Sequence, residues 1–477
     1  MKPKRPVIAR ELPSPSRRQF LRLSGGCAGL LSTSLVSSII NLKMTNAAYA
    51  AAGDTSGYKA LVCVFLLGGN DSWNMLVPYE SGEYNDYAGI RRDLALRRSS
   101  LLPITDTQTG RRFGVHPRMN EIRNLYNRGN SPLAFVTNVG SLIEPTDKQG
   151  FVSGRNLPVS LFSHSDEQRH WQTSLPQSAG QETGWAGRMA DILTDSVNDD
   201  PAVGMNIALN SLNVFQTGRR VLPYVVGADG AIPSNYYKGS GIANSILTKI
   251  SDRLLTDAYA NEFEGAYALA HREAIDLSEE YDRATRGATV RTAFPRTDLG
   301  AQLRQVARAI AARGALGHRR QTFFVSMGGW DHHDELLNAQ AAMLPELSQA
   351  LAAFYEATVE LGVDQDVVTF TASDFGRTLS SNGNGSDHAW GGNQIIMGGS
   401  VVGGRLYGDY PETLRAGSEL DVGRGRLIPT TSVDEYNAEL ALWFGVQNNR
   451  DLDEILPNIR NFDFPRGIAN GPLGALV

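Results

Sequence analysis

The chain has 477 residues, 42% hydrophobic and 20% charged, with a formal net charge of −5 and two cysteines. That composition excludes a low-complexity or fibrous chain and leaves length for one large domain or two smaller ones. The mildly acidic balance excludes nucleic-acid binding driven by neutralisation of phosphates.

Residues 1–50 read as a cleavable export signal. Lys2, Lys4, Arg5 and Arg10 precede Arg17, Arg18, Phe20 and Leu21, then comes an uncharged stretch from Leu23 to Leu42 and a small-residue end at Ala48-Tyr49-Ala50. A basic head, a weakly apolar middle and a small-x-small end make a signal peptide, and paired arginines before Phe-Leu mark the twin-arginine route. The expected partner is therefore the twin-arginine translocation machinery, which carries folded chains, and the expected location is the periplasm or outside the cell. Without residues 1–50, the 45 Lys/Arg and 50 Asp/Glu become 37 and 49, a charge of −12. Cys63 alone would remain, so no intramolecular disulfide forms. No later segment offers ~18 uninterrupted apolar residues, so the mature chain is expected to be free of the membrane.

From residue 57 the pattern is strand, turn, helix, repeated. Leu61–Leu67, Leu133–Val139, Gln321–Met327 and Asp366–Ala372 are short apolar runs bounded by turn residues, which read as buried strands. Residues 298–310 read as a helix with Asp298 as acidic N-cap candidate and Leu299, Leu303, Val306, Ala307 and Ile310 on one face. A helix from about Glu346 to Leu361 follows the third of these runs, with Pro345 either breaking it from the segment before or serving as its first residue. Helices alternating with strands over short links predict a mostly parallel sheet in an α/β fold. Residues 195–240, rich in Gly, Pro, Asn and Ser, and one long charged helix from Ile242 to Tyr281 read as an insertion at about 195–290. It is either a cap over the strand ends or an ordinary peripheral layer.

Ligands bind outside the carboxyl ends of parallel strands, and that is where this chain puts its carboxylates and imidazoles. Asp71 follows Gly68-Gly69-Asn70. Asp331, His332, His333 and Asp334 follow Gly328-Gly329-Trp330. Asp374 ends the strand at 366–372, with Arg377 three residues on and Asp387-His388 within a dozen. The chain has only eight histidines, and a helix N-terminus, which would explain acids near residue 335, gives no reason for imidazoles. Such O and N donors suit a divalent cation, with Zn, Mn, Mg and Ca all admissible. Arg377 would either neutralise Asp374 or hold an anionic substrate. Leu161–Trp171 adds Ser163, His164 and Ser165 at the start of a helix. Ser163 or Ser165 would serve as N-cap, as nucleophile, or as both, and His164 as acid, base or ligand.

Taken in order, Phe65–Asp71, Asn138–Gly140, Leu161–His164, Gly184–Arg188, Gly328–His333, Ser373–Thr378 and Gly385–His388 resemble the exported DUF1501 proteins over essentially all of residues 51–477. That family is similar to the alkaline phosphatase and sulfatase superfamily. The resemblance implies a three-layer α/β/α sandwich holding one or two divalent metal ions. It implies Asp71, Asp331, His333, Asp374 and His388, with Asp387 beside it, as ligands, and Ser163 as nucleophile. Phe375 stands where the superfamily has a histidine ligand, which leaves His332 or His164 to substitute. The function implied is an exported metal-dependent hydrolase or transferase of a phosphate or sulfate ester, acting on a small anionic ester or a polysaccharide. The alternative is a non-catalytic, metal-stabilised cell-envelope protein with a degenerate site.

Overall fold

The computed structural model describes residues 57–198, 203–231, 242–257, 259, 261–464 and 471–477. The signal expected at 1–50 lies outside the described residues. Among those described, no helix is long and apolar enough to cross a membrane.

The strands are β1 (Lys59–Leu66), β2 (Leu76–Pro78), β3 (Leu102–Thr105), β4 (Arg112–Val115), β5 (Leu133–Gly140), β6 (Asn206–Leu209), β7 (Tyr224–Val226), β8 (Arg320–Met327), β9 (Val367–Ser373), β10 (Gly392–Met397), β11 (Leu406–Tyr407) and β12 (Thr431–Ser432). A nine-stranded sheet has the order β11-β5-β10-β9-β1-β8-β6-β7, with β12 also on β5, and β2-β4-β3 form a small separate sheet. In the large sheet only β10 runs antiparallel to its neighbours; the other pairings are parallel. The α/β class and the mostly parallel sheet are as the alternation of elements predicts.

β1 shows why the sheet has helices on both faces. Ala60, Val62, Val64 and Leu66 enter one apolar cluster with residues of helices Asp298–Ala311 and Leu336–Glu360. Leu61, Cys63 and Phe65 enter another with residues of helices Trp185–Val197 and Val433–Phe444. Alternate side chains of a strand point to opposite faces, so a run apolar at every position needs cover on both sides. Each buried Val, Leu or Phe among them contributes about 1.5–3 kcal/mol by burial. Cys63 is one of them, a buried free thiol.

Three expectations change. Helix Asp298–Ala311 is capped by Thr297, whose side chain accepts from Gly300 N, so Asp298 falls in the first turn instead. Helix Leu336–Glu360 runs straight through Pro345. Proline cannot donate to the carbonyl four residues back, and Arg118 Nε donates to that Ala341 carbonyl at 3.4 Å. The third concerns 195–290. Residues 206–209 and 224–226 are strands of the large sheet itself, and Gln216 ties them in, its amide reaching Ile207 O at 3.1 Å and Thr322 O at 3.0 Å. The single helix expected from Ile242 to Tyr281 is two, Ile242–Thr256 and Glu262–Gly287.

The chain divides into two compact units. The smaller contains Ile242–Thr256 and the beginning of Glu262–Gly287, tied by an Arg272–Asp252 pair at 3.1 Å. The larger contains the sheets and everything described below.

Candidate metal centre

The registers of the three central strands bring their ends level. Leu66 of β1 pairs with Met327 of β8 and with Ser373 of β9. The three turns that follow therefore start side by side. Gly68, at φ +116°, lies so close to the next turn that a Cβ there would stand 2.6 Å from Asp331 N. Only glycine accepts both that angle and that approach. Trp330 N donates to Leu67 O at 3.1 Å, and Asn70 N to Ser373 Oγ at 2.8 Å, locking the turns together.

The fourth and fifth segments arrive by other means. After β9 the chain folds back as a short ribbon in which Arg377 bridges His388. Its tip is pinned to the β8 turn by Ser386 N to His332 O at 3.1 Å and Asn382 Nδ2 to His333 O at 3.0 Å. Helix His164–Thr173 begins at the same edge, with Ser163 in the N-cap position.

Three imidazoles and one carboxylate meet there. Asp331 Oδ1 lies 3.4 Å from His164 Nε2, 3.0 Å from His333 Nε2 and 3.5 Å from His388 Nε2. His333 Nε2 and His388 Nε2 are 2.9 Å apart. Ligand atoms of His164, Asp331 and His388 all fall within 4.8 Å of one another, the one such group of three or more among the described residues.

Each ring is held from behind. His164 Nδ1 meets Asp374 Oδ2 at 2.7 Å, His333 Nδ1 meets Asp387 Oδ1 at 3.0 Å, and His388 Nδ1 meets Phe162 O at 2.7 Å. Acceptors at all three Nδ1 atoms assign the protons there and leave three Nε2 lone pairs turned inward. That is how metal-ligating histidines are prepared, with an outer partner fixing tautomer and ring angle. Two lone pairs at 2.9 Å repel unless a cation or a proton lies between them. His164 Nε2 is buried without a hydrogen-bond partner. Three imidazoles and a carboxylate are a donor set that zinc and similar ions take. The residues fit a divalent cation.

The electrostatics agree. Partial burial opposes ionisation of Asp331, but the hydrogen bond and charge of Arg377 outweigh it and hold the carboxyl below its usual range. Desolvation likewise opposes Asp387, and hydrogen bonds from Asn382, Arg424 and His333 bring it down to about 2. Burial first, then Arg377 and the neighbouring imidazoles, lower His388 against the Phe162 carbonyl, which favours the neutral ligand form.

The residues expected to ligate are only partly the residues brought together. Asp331 and His388 are in that group, and His333 Nε2 lies beside them, 3.0 Å from Asp331 Oδ1. His164, which the sequence leaves open as acid, base or ligand, joins them, its ring 4.8 Å from that of Phe375. Asp374 and Asp387 face Nδ1 atoms and act as holders of His164 and His333. Gln168, one helical turn beyond His164, shares Asp374 Oδ2 at 2.9 Å. His332 stands apart, its two nitrogens buried without hydrogen-bond partners. Asp71 is fully buried and paired with Arg91 Nη2 at 2.7 Å.

Arg377 pairs with Asp331 and not with Asp374. Its other donors go to the carbonyls of Gly69 at 2.8 Å, Ser386 at 3.0 Å and Gly68, and its side chain is fully buried. The one remaining Nη1 donor faces His333 Nε2 at 3.5 Å, so Arg377 is committed to Asp331 and the turn carbonyls. Ser163 Oγ donates to Asp166 Oδ2 at 2.6 Å. Just before it, Phe162 adopts φ +71°, a strained value for a bulky residue, and its carbonyl holds His388. Arg91 and Gln168 are the residues that sequence reasoning missed. Gln168 had a readable signal, its i, i+4 spacing from His164.

This chain belongs to the DUF1501 family, described as proteins of unknown function, whose model matches residues 58–431. No curated protein matches it. Solved structures with some likeness include Ps i-CgsB in complex with k-i-k-neocarrahexaose, at 10% identity over 85% of this chain and 77% of that one, with a TM-score of 0.32. Another is a Bacteroides thetaiotaomicron protein of a core locus for the metabolism of multiple glycosaminoglycans, at 10% identity over 81% and 72%, TM-score 0.33. A third is the soluble domain of lipooligosaccharide phosphoethanolamine transferase A from Neisseria meningitidis, at 12% identity over 88% and 97%, TM-score 0.28. At such scores, what the site does rests on its own side chains.

Proposed function

We propose that this DUF1501 member is an exported, metal-dependent hydrolase or transferase acting on a phosphate or sulfate ester. The observation that carries the reading is the convergence of three inward-facing Nε2 atoms on Asp331, each ring held at Nδ1 by its own acceptor. His164, Asp331, His333 and His388 would hold the ion. When bound, such an ion polarises an ester oxygen and lowers the pKa of a hydroxyl beside it.

The chain's own residues supply the rest. Arg377 holds Asp331 ionised and in place. Ser163 stands one residue before His164, and its Oγ is already hydrogen-bonded to Asp166, so that nucleophile and base are within reach of one another. The helix that begins there has no side-chain cap, so its first backbone N–H groups would be available to an incoming anion. Export by the twin-arginine route would deliver the folded protein to the periplasm or beyond, where a small anionic ester or a polysaccharide is the substrate.

Metal analysis of purified protein tests this, together with aryl phosphate and aryl sulfate turnover. Stoichiometric metal lost in Asp331→Ala is expected, with turnover lost but metal kept in Ser163→Ala. Protein that carries no metal after loading with zinc or manganese would overturn the reading.

A second reading, a metal-stabilised envelope protein without catalysis, is favoured by one observation. Four of the five N–H donors of Arg377 go to Asp331 and to backbone carbonyls, and the fifth faces His333 Nε2 at 3.5 Å, so the guanidinium expected to hold the anion is largely committed within the protein. Bound metal without turnover of either ester class would select this reading.

A further inference from the structure

Two arginines on one rigid turn, Arg424 and Arg426, flank the imidazole cluster. Residues 423–425 all have positive φ, at +112° for Gly423, +63° for Arg424 and +71° for Gly425. Asp421 holds that unusual path, its Oδ1 accepting from Gly423 N and Gly425 N at 2.8 Å each and its Oδ2 from Gly417 N at 2.7 Å. The turn also leans on the site's own ribbon, through Leu379 N to Gly425 O at 3.1 Å and Ser380 N to Arg424 O at 3.2 Å.

Each arginine reaches one holder of an imidazole. Arg424 pairs with Asp387, which holds His333, and its side chain is 54% exposed. Arg426 lies over the Phe162 ring at 5.0 Å, and the Phe162 carbonyl holds His388. Its Nε donates to Gly423 O at 3.0 Å; its Nη atoms have no hydrogen-bond partner among the described residues. The two guanidiniums thus sit one contact behind two of the three converging rings. Arg424 is exposed and Arg426 is half-buried with its Nη atoms unengaged; pre-positioned guanidiniums of this kind are suited to sulfate and phosphate oxygens.

We propose that Arg424 and Arg426 form an anion subsite beside the metal centre, so that the favoured substrate is a polyanion carrying a second sulfate or phosphate group next to the ester that reacts. This rests on the ester-processing reading above and names its substrate class. Arg377 is buried and committed within the protein, whereas Arg424 shares one Nη with Asp387 but stays exposed and Arg426 keeps both Nη atoms unengaged among the described residues, so this pair supplies the positive charge that an anionic substrate needs.

Binding, which does not depend on turnover, tests it. Full-length protein loaded with zinc is titrated at low and high salt with dextran sulfate, with inorganic polyphosphate, and with neutral dextran. Wild type is expected to bind a polyanion and not dextran, more weakly at high salt. Arg426→Ala and Arg424→Ala should each weaken binding by on the order of tenfold, with Arg426→Lys recovering part of it. The control Arg291→Ala/Arg415→Ala, which removes two exposed charges elsewhere, should bind as wild type. The preference between the two polyanions tells sulfate from phosphate. Equal binding by Arg424→Ala/Arg426→Ala, an equal loss in the control, or no polyanion binding by wild type would each overturn the subsite. Ester turnover without polyanion binding overturns the subsite alone; polyanion binding without turnover of any ester overturns the catalytic reading alone.

Discussion

Asp374 and His164 meet through Oδ2 and Nδ1 at 2.7 Å, with the carboxylate fully buried and the ring reaching toward Asp331 from its other nitrogen. The carboxylate stands behind the imidazole, and its charge makes Nε2 a better donor. Outer partners of metal-bound histidines typically govern metal affinity by 10–100-fold.

Asp374→Asn should therefore weaken zinc binding by about that factor while stoichiometry at saturation stays the same. Asp387→Asn should do likewise through His333. Competition against a chromophoric chelator measures both. Wild-type affinity in the two variants would show that these carboxylates do not orient the rings.

Asp71 gives a prediction that separates ligand from structural partner. Its pair with Arg91 is completely buried, and Arg91 Nη1 also reaches Thr378 O at 3.0 Å. Removing one member of a buried pair strands the other charge and typically costs about 3–5 kcal/mol. Asp71→Asn and Arg91→Ala should both lower the melting temperature substantially and leave metal stoichiometry intact. Loss of metal in Asp71→Asn would instead restore the ligand role that its position after β1 suggests.

How far the sequence carries can be judged from these residues. β1, β5, β8 and β9 are legible because each is a run of apolar residues that only a doubly covered strand can use. The site's edge is legible because glycine turns follow three of those strands. What spacing cannot supply is which atom of a side chain faces the cation. Asp374 and Asp387 carry ligand-type oxygens at the right edge, yet both face Nδ1 atoms. Arg91 gives no signal because its partner is a buried carboxylate from another turn. Pro345 misleads because Arg118, far away in the chain, compensates for the lost donor. β6 and β7 are hidden by their brevity in a Gly- and Asn-rich stretch.

Gly68 is where backbone geometry and the site are most tightly joined. An alanine there would carry φ +116° and place Cβ 2.6 Å from Asp331 N. Strain of this kind typically costs about 1–3 kcal/mol, and relief requires the β8 turn to move away. Gly68→Ala should lower both stability and metal affinity. Gly110→Ala, at φ +75° with open space around it, should cost stability alone. Equal metal affinity in the two variants would show that the approach of the two turns does not set the position of Asp331.

The pH dependence of stability should be governed in part by two histidines away from the metal centre. Burial lowers His318 to about 4, against the pull of the Val203 carbonyl that its Nε2 contacts at 2.7 Å. Burial, with the nearby Arg118 charge, lowers His116 to about 4 as well. Nδ1 of His116 accepts from Arg118 N at 3.2 Å, and Nδ1 of His318 lies 2.9 Å from Gln321 Nε2, so a proton added at either atom would face a donor. Both rings are neutral in the fold, whereas in the unfolded chain they titrate near 6.5. The unfolded state therefore binds more protons between about pH 6.5 and pH 4, and stability falls as pH drops through that window. Between pH 7 and pH 5 the loss should be about 2 kcal/mol for each histidine. Urea unfolding with chelator present, which removes the metal contribution, measures it. His318→Gln should flatten the acid limb by about half of the two-histidine effect; an unchanged slope would show that folding does not shift the titration of His318.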